Sequence, residues 1–131
     1  MECRFCKRQA FKGRIVYEDK GCFAILNEYP ASKGHVLVVS KKHYADMLSA
    51  DDKSLDCCFE AAKKIAKRMR ARLKPGRGIK LIVNMDGAEE LRHMHIHVMP
   101  VYGKDLDLNV SYKERPELAE KARKELMRKL A

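Results

Sequence analysis

Short apolar runs separated by polar turns fill the first forty residues of the chain. Residues 15–17 and 22–26 are both β-prone, and the polar stretch between them contains Gly21. This spacing predicts a β-hairpin with the glycine in its turn. A loop follows at residues 29–34, because this stretch contains Pro, Ser and Gly. It leads into residues 35–39, which are apolar enough to form a central strand.

Helical spacing begins in the middle of the chain. Apolar side chains recur there at steps of three and four residues: Leu55, Cys58, Phe59, Ala62, Ile65, Ala66, Met69 and Leu73. The spacing predicts an amphipathic helix with one apolar stripe. Ser49 followed by Asp52 indicates a capping arrangement at its start, and Pro75-Gly76 indicates its end.

Two more strands and a second helix follow. The pattern predicts strands at residues 79–83 and 93–101, with a loop at residues 84–90 between them. Pro116 begins a second amphipathic helix, whose apolar face consists of Leu118, Ala122, Leu126 and Leu130. Taken in order, these elements predict a single α+β domain over residues 1–131, in which helices cover a five-stranded antiparallel sheet.

Charge and composition narrow the class of protein without deciding its function. The chain has 131 residues, with 28 Lys and Arg against 18 Asp and Glu, and a net charge of +10. Such an excess either attracts polyanions or belongs to a basic, well-solvated surface. No apolar run approaches the ~20 residues that a membrane span needs, and no stretch resembles a secretory signal. We therefore expect a cytoplasmic protein with no membrane partner.

The five cysteines fall into two groups. An odd number of cysteines without an export signal argues against a disulfide framework. Cys22, Cys57 and Cys58 lie among apolar residues and are expected to be small buried side chains. Cys3 and Cys6 form a C-x-x-C pair in a polar segment, which is either half of a metal site or two free thiols on a mobile terminus.

Three of the five histidines stand in one short run, as His93, His95 and His97. Because side chains alternate across a strand, these imidazoles are expected on one face, spaced about 7 Å apart. Two plainer interpretations are a surface strand that carries histidine by chance and a simple metal site with i, i+2 ligands. A neutral imidazole is also a good nucleophile near pH 7, so the run is a candidate centre for nucleophilic catalysis.

The wider pattern resembles the histidine triad (HIT) superfamily. The resemblance rests on residues 34–39, on residues 41–43, and on the alternating run at residues 93–100. It extends over nearly the whole chain, from residue 3 to about residue 102. It implies the HIT-like fold, with a five-stranded antiparallel sheet, a central helix and a C-terminal helix. Family members dimerise through the helix and a neighbouring strand, so a homodimer is expected as well.

By this resemblance the chain is a nucleotide-phosphate hydrolase or nucleotidyl transferase of the Hint or Fhit kind. It would cleave a nucleoside phosphoramidate or a dinucleoside polyphosphate at the α-phosphate. His95 would attack the phosphorus, and water would then release a nucleoside monophosphate. His97 and His35 would stabilise charge on the phosphate oxygens. The residues implied for binding a purine nucleotide are Ile25, Asn27 and Asn84.

The zinc-containing subset of the family implies a structural zinc ion in addition. Its ligands would be two thiolates and two imidazoles, namely Cys3, Cys6, His43 and His93. Such a set makes a closed tetrahedral site, which suits a structural ion and leaves no open position for catalysis.

One stretch departs from the family. The Gly-Gln pair and the Ser or Thr that usually precede the triad are replaced at residues 84–92, a segment that contains Glu89 and Glu90. Acidic groups oppose the binding of an anionic substrate unless they point away or pair with Arg92. A purine-nucleotide-binding regulatory protein with little catalysis is therefore an alternative function. Removal of adenylate from DNA ends is a third, supported only by the net charge, and nucleic acid is not expected as a partner.

Overall fold

A five-stranded antiparallel sheet forms the centre of the protein, as the hydrophobic pattern predicts. The computed structural model describes residues 3–88, 91–103 and 114–131. Its strands are β1 (Ile15–Glu18), β2 (Cys22–Leu26), β3 (Val36–Ser40), β4 (Ile79–Ile82) and β5 (His95–Pro100). They lie in the order β1-β2-β3-β5-β4, and every neighbouring pair is antiparallel. The predicted hairpin is therefore the β1–β2 pair.

Helix α1 (Asp52–Arg72) covers one face of the sheet. Because side chains alternate along a strand, Val38 of β3 and its partner Ile96 of β5 both point into this layer. Ile65 and Met69 of α1 are buried against them. The removal of this apolar surface from water supplies the main driving force for folding.

The opposite face of the sheet is covered only in part. Leu37 of β3 and its partner His97 of β5 lie on this side. Two short 3-10 turns, Arg4–Cys6 and Arg8–Phe11, pack against it and bury one phenylalanine each. The part of this face next to the turns is left open to a cavity.

The start of α1 differs from the prediction. The N-cap is Asp51, and not the predicted arrangement of Ser49 and Asp52. The Asp51 carboxylate accepts a hydrogen bond from the Ser54 N–H at 2.7 Å. A carboxylate here satisfies a backbone N–H that has no partner within the helix and interacts favourably with the helix dipole. Ser49 instead bonds to Asp46 in the preceding turn.

The buried stripe of α1 is shifted from the predicted one. Phe59 and Leu73 are each 41% exposed, whereas Ala61, which the prediction left out, is fully buried. The small side chain at position 61 allows close contact between helix and sheet, so the buried stripe is centred nearer to Ala61 than predicted. Of the three cysteines predicted to be buried, Cys57 is only half-buried and the other two are fully buried.

Helix α2 (Glu120–Leu130) begins later than predicted. Pro116 does not start it, because Ala119 has φ −57° and ψ 148°, outside the helical region. The predicted apolar face of this helix is exposed throughout the described C-terminal segment. No helix in the described ranges is both long and apolar enough to cross a bilayer.

Candidate active site

Strand β5 begins at His95, two residues later than predicted, but the three histidines lie on one side of the sheet as predicted. The Phe5 ring on the open face contacts the rings of both His93 and His95, and Met94 between them is buried in the α1 layer. The backbone N–H of His93 bonds to the Leu91 carbonyl, and the N–H of Met94 bonds to the Tyr44 carbonyl. These two bonds take the backbone before His95 out of the regular ladder with β3, whose pairing starts at His95. His93 is buried under the N-terminal turns, beside Phe5 and Cys3, whereas His95 and His97 line the cavity.

The fourth histidine of the prediction, His35, is placed by the loop before β3. Gly34 has φ +98°, and a Cβ there would lie 2.7 Å from Cδ1 of Leu73, so a glycine is required. The Ser32 hydroxyl donates to the Pro100 carbonyl at 2.7 Å and ties this loop to β5. The loop therefore delivers His35, which is buried, to the face that carries His95 and His97.

A chain of hydrogen bonds assigns the protons on His35 and His97. The Ala31 N–H donates to Nδ1 of His35 at 3.0 Å, so this nitrogen is an acceptor. Nε2 of His35 then carries the proton and donates to Nδ1 of His97 at 2.9 Å. The proton of His97 must accordingly lie on Nε2, and the side chain lines the cavity. His97 is thereby held as a hydrogen-bond donor.

His95 is held in the opposite role. Its Nδ1 lies 2.6 Å from the His93 carbonyl, which can only accept, so Nδ1 carries the proton. Nε2 of His95 keeps its lone pair and has no hydrogen-bond partner among the described residues. The rings of His95 and His97 are 5.1 Å apart. A free nitrogen lone pair and a hydrogen-bond donor thus stand side by side on one strand.

Burial keeps two of these imidazoles neutral. Burial lowers the pKa of His97 to about 4, with a further contribution from the neighbouring His95 and His35. Burial also lowers the pKa of His35. Both residues are therefore uncharged near pH 7, which is the protonation state that the hydrogen-bond chain requires.

A cavity of about 540 Å³ opens in front of these side chains. Its lining includes two of the polar residues predicted to bind nucleotide, and it has an apolar end. The lining residues are Arg4, Phe5, Phe11, Ile25, Leu26, Asn27, Glu28, Tyr29, His35, Leu37, Asn84, Ala88, Leu91, His95 and His97. All three predicted catalytic residues and all three predicted nucleotide-binding residues are therefore brought to one cavity.

The two asparagines of the cavity are held by the surrounding backbone. Asn27 accepts a hydrogen bond from the Tyr29 N–H at 3.0 Å through its side-chain oxygen. Asn84 stands at the start of a loop whose Asp86 N–H donates to the buried carboxylate of Asp46 at 2.9 Å. That carboxylate fixes the near end of the loop, while the acidic pair at residues 89–90 lies outside the described residues.

Several lining residues were not among the predicted site residues. Phe5 and Phe11 form the apolar end of the cavity together with Ile25 and Leu37. The ring of Phe5 is 5.1 Å from that of His95 and packs edge-on to it. Two phenylalanines in an otherwise polar N-terminal segment were the available signal, since such residues need an apolar surface to cover.

A second group of side chains lies where the N-terminal turns meet the residues just before β5. It joins the N-terminal C-x-x-C to two histidines, as the sequence predicts: Cys3, Cys6, His43 and His93. Nδ1 of His93 is 3.2 Å from Sγ of Cys3 and 3.1 Å from Nδ1 of His43. Sγ of Cys6 is 3.3 Å from Nδ1 of His43. All four ligand atoms lie within 4.8 Å of one another, so the group could hold one metal ion.

The chemistry of this group suits a tetrahedral ion. Zinc bound to sulfur and imidazole nitrogen sets its ligand atoms roughly 3.3–3.8 Å apart, and most of the observed separations are close to this. Nε2 of His93 donates to the Ser40 carbonyl at 2.7 Å, which leaves Nδ1 as the ligand atom. Such an outer hydrogen bond is usual for metal-binding histidines. The two nitrogens of His93 are thereby assigned.

Comparisons with known proteins agree with this arrangement. The HIT domain model matches residues 8–104. An uncharacterized 16.1 kDa HIT-like protein from Mycoplasma pneumoniae is 38% identical over 108 residues, which cover 76% of this chain and 72% of the relative. The crystal structure of a HIT family protein from Bacillus anthracis matches with a TM-score of 0.87 and 26% identity, over 98% of this chain and 94% of that one.

A further solved structure bears on the Cys and His group. It is a zinc-bound histidine triad family protein from Mycobacterium smegmatis, and it matches with a TM-score of 0.71 and 27% identity. The match covers 89% of this chain and 85% of that protein. A relative of the same fold therefore binds the ion that this donor set suits.

Proposed function

Because this chain belongs to the HIT family and has the fold that its sequence predicts, we propose that it is a nucleotide-phosphate hydrolase or nucleotidyl transferase. Its substrate would be a purine nucleoside phosphoramidate or a dinucleoside polyphosphate, cleaved at the α-phosphate. One observation carries the proposal: the free Nε2 lone pair of His95 stands beside the donor His97 in a cavity of about 540 Å³.

The reaction proceeds in two displacements. Nε2 of His95 attacks the α-phosphorus, a nitrogen–phosphorus bond forms, and the bond to the leaving group breaks. A phosphate leaving group departs as the anion, whereas an amine takes up a proton from solvent as it departs. A water molecule then attacks the same phosphorus and breaks the bond to His95. The nucleoside monophosphate leaves with the oxygen of that water, and the proton of the water passes to solvent. His95 returns to its starting state.

His97 stabilises the charge that develops during both steps. Its Nε2–H is the donor left over after Nδ1 has accepted from His35, and it is directed at the phosphate oxygens. Because the hydrogen-bond chain is fixed before substrate binds, little reorganisation is needed at the transition state. His35 acts through His97 and is therefore a positioning residue.

The remaining cavity suits a purine nucleoside. Its volume lies within the ~300–1,000 Å³ that is usual for small-molecule sites. We place the base against the apolar end formed by Phe5, Phe11, Ile25 and Leu37, where stacking and burial favour an aromatic ring. Asn27 would bind the ribose hydroxyls, and Asn84 would reach the phosphate.

We also propose that the group of Cys3, Cys6, His43 and His93 holds a structural zinc ion. Bound there, zinc supplies a four-coordinate crosslink and takes no part in phosphate chemistry. The crosslink connects the N-terminal turns to the sheet, and through the His93 carbonyl the same residue orients His95. Metal analysis of protein purified without chelator should give about one equivalent, lost in Cys3→Ser.

A homodimer is part of the proposal and can be tested by light scattering on the purified protein.

The alternative function is that of a regulatory protein which binds purine nucleotides and does not turn them over. The acidic stretch before the triad favours it, because a pair of carboxylates opposes anionic substrates.

Incubation with adenosine phosphoramidate and with diadenosine polyphosphates separates these functions. The protein is compared with His95→Ala and with Leu130→Ala, a control change at an exposed position on α2. We expect AMP from at least one substrate with the unmodified protein and the control, and none above background with His95→Ala. Nucleotide binding without AMP release would support the regulatory function and contradict the enzymatic one.

A further inference from the structure

A second group of sulfur and oxygen ligands lies on the α1 side of the sheet, where the β1–β2 turn meets the helix. This thiol–carboxylate cluster consists of Asp19, Cys22 and Cys57. Sγ of Cys22 and Sγ of Cys57 are 3.4 Å apart, and the Cys57 thiol donates to Oδ1 of Asp19 at 3.1 Å. Sγ of Cys22 lies 3.7 Å from Oδ2 of the same carboxylate. None of the three lines the nucleotide cavity.

We propose that the thiol–carboxylate cluster is a second metal site, which takes one divalent cation of the zinc or cadmium type. Such an ion bound tetrahedrally to two sulfurs and one oxygen would set the sulfurs about 3.8 Å apart and each sulfur about 3.6 Å from the oxygen. The two sulfurs are 3.4 Å apart, and they face different oxygens of Asp19, at 3.1 Å and 3.7 Å. To seat the ion, the sulfurs must separate by about 0.4 Å and the carboxylate must turn to present one oxygen to both. Soft thiolate ligands select such cations over magnesium and calcium.

Gly21 makes room for this arrangement. A Cβ at position 21 would lie 2.9 Å from Sγ of Cys57, closer than such contacts occur in proteins. The backbone there is outside the left-handed region, so conformational freedom does not account for the glycine. The absence of a side chain lets the sulfur approach the turn, where the backbone N–H groups of Gly21 and Cys22 both donate to Asp19 at 2.9 Å.

Hydrogen bonds and burial keep the carboxylate of the cluster charged and its thiols protonated, so a metal ion must displace two protons when it binds. Burial opposes ionisation of Asp19, but hydrogen bonds from the Cys57 thiol and the Cys22 and Gly21 N–H groups outweigh it and hold the pKa of the carboxyl well below its usual range. Burial raises the pKa of Cys57 to about 12, and a hydrogen bond with Cys58, followed by burial, raises that of Cys22. Both thiols are therefore protonated around a fixed negative charge.

Metal binding at the cluster exchanges two thiol protons for one cation. Each thiol releases one proton to solvent, two sulfur–metal bonds and one oxygen–metal bond form, and no electron is transferred. Asp19 and Cys57 are half-buried, so the ion can enter from solvent, and its fourth position is filled by water. Because Cys57 belongs to α1 and the other two ligands to the hairpin, the bound ion crosslinks helix and sheet.

The test counts cadmium bound per chain after excess metal has been removed by gel filtration. Cys57→Ser should bind one equivalent fewer than the unmodified protein. Cys58→Ala removes the neighbouring buried thiol, which is outside the cluster, and should bind as many equivalents as the unmodified protein. Cys3→Ser should lose the ion of the other group and still show the ultraviolet band of cadmium–thiolate bonds from this one.

Asp19→Asn provides a second variant that keeps the sulfurs and the hydrogen-bond acceptor of the turn. It should weaken cadmium binding at the cluster at least tenfold, because the anionic ligand is replaced by a neutral amide. Equal stoichiometry in the unmodified protein and Cys57→Ser would overturn the proposal. So would a loss in Cys58→Ala as large as that in Cys57→Ser, since the thiols would then act only through packing.

Discussion

The two faces of the central sheet use alternate residues of the same strands for different purposes. On the α1 face, Ile96 and its neighbours are buried in an apolar layer whose main contribution is stability. On the opposite face, His95 and His97 stand in a cavity, covered only in part by Phe5 and the N-terminal turns. Adjacent residues of β5 thus belong to a closed core and to an open site.

The difference between the closed and the open face shows how a small domain keeps exposed imidazoles in a fixed orientation. The open face cannot be packed tightly if the proposed substrate is to enter its cavity. Its imidazoles are instead fixed by hydrogen bonds, from Ala31 through His35 to His97 and from His95 to the backbone. The tightly packed face behind them supplies the rigidity. Changes on the two faces should therefore affect different measurements.

The largest effect is expected for His95→Ala, which removes the nucleophile. Turnover should fall by at least ~10³-fold, as is usual when a covalent nucleophile is lost. The melting temperature should stay within about 3 °C, because His95 is only half-buried and its face is open. Steady-state kinetics and thermal unfolding of the same sample check both points. Turnover within tenfold of the unmodified protein would remove His95 from the mechanism.

Ile96→Ala changes the next residue of the strand and should do the reverse. Ile96 is fully buried against α1, so the change leaves a cavity and should lower the free energy of unfolding by about 2–5 kcal/mol. Turnover per folded molecule should change less than about threefold. Urea unfolding, with kinetics at a temperature where the variant is folded, gives the two numbers. A large loss of turnover with normal stability would refute the division between the faces.

A smaller effect concerns the pH dependence of stability. Burial lowers the pKa of His97 to about 4, whereas an unfolded histidine titrates near 6.5, so only the unfolded state takes up this proton between those values. The stabilisation is fully present above pH 6.5 and is lost as pH falls towards 4, by about 3 kcal/mol. His97→Asn should flatten this part of the curve. Parallel curves for the two proteins would contradict the buried neutral imidazole.

The smallest effect is expected for Asn27→Ala at the edge of the open face. Loss of one hydrogen bond to the ribose should raise KM about five- to tenfold, which corresponds to roughly 1 kcal/mol, and leave kcat nearly unchanged. Initial rates over a range of substrate concentrations give both constants. An unchanged KM would show that the ribose does not bind where Asn27 points.

Much of the difference between the two faces of the sheet could be predicted from the sequence. Short apolar runs and helical spacing predict all five strands and both helices, and the family resemblance names six residues that the structure brings to one cavity, among them His35 and His95. The predicted start of the last strand was wrong: β5 begins at His95 and not at His93, although His93 still lies on the same side of the sheet as His95. Alternation alone cannot show that backbone bonds to Leu91 and Tyr44 take residue 93 out of the ladder.

Other features depend on contacts that sequence spacing does not encode. The cap at Asp51 and the burial of Ala61 are decided by where α1 meets the sheet. The late start of α2 at Glu120 agrees with local ion pairs such as Glu120–Lys124, since the helix buries no residue. Cys57 is an apolar-looking residue in the sequence, but its thiol faces Asp19 because the hairpin turn lies beneath it.

The configuration at phosphorus tests the central claim most directly. A P-chiral phosphorothioate analogue of the phosphoramidate substrate is hydrolysed in ¹⁸O-labelled water, and the configuration of the product is determined. Attack by His95 followed by attack by water inverts the phosphorus twice, so the account predicts net retention. Net inversion would mean that water attacks the substrate directly, and it would contradict the role of His95 as the covalent nucleophile.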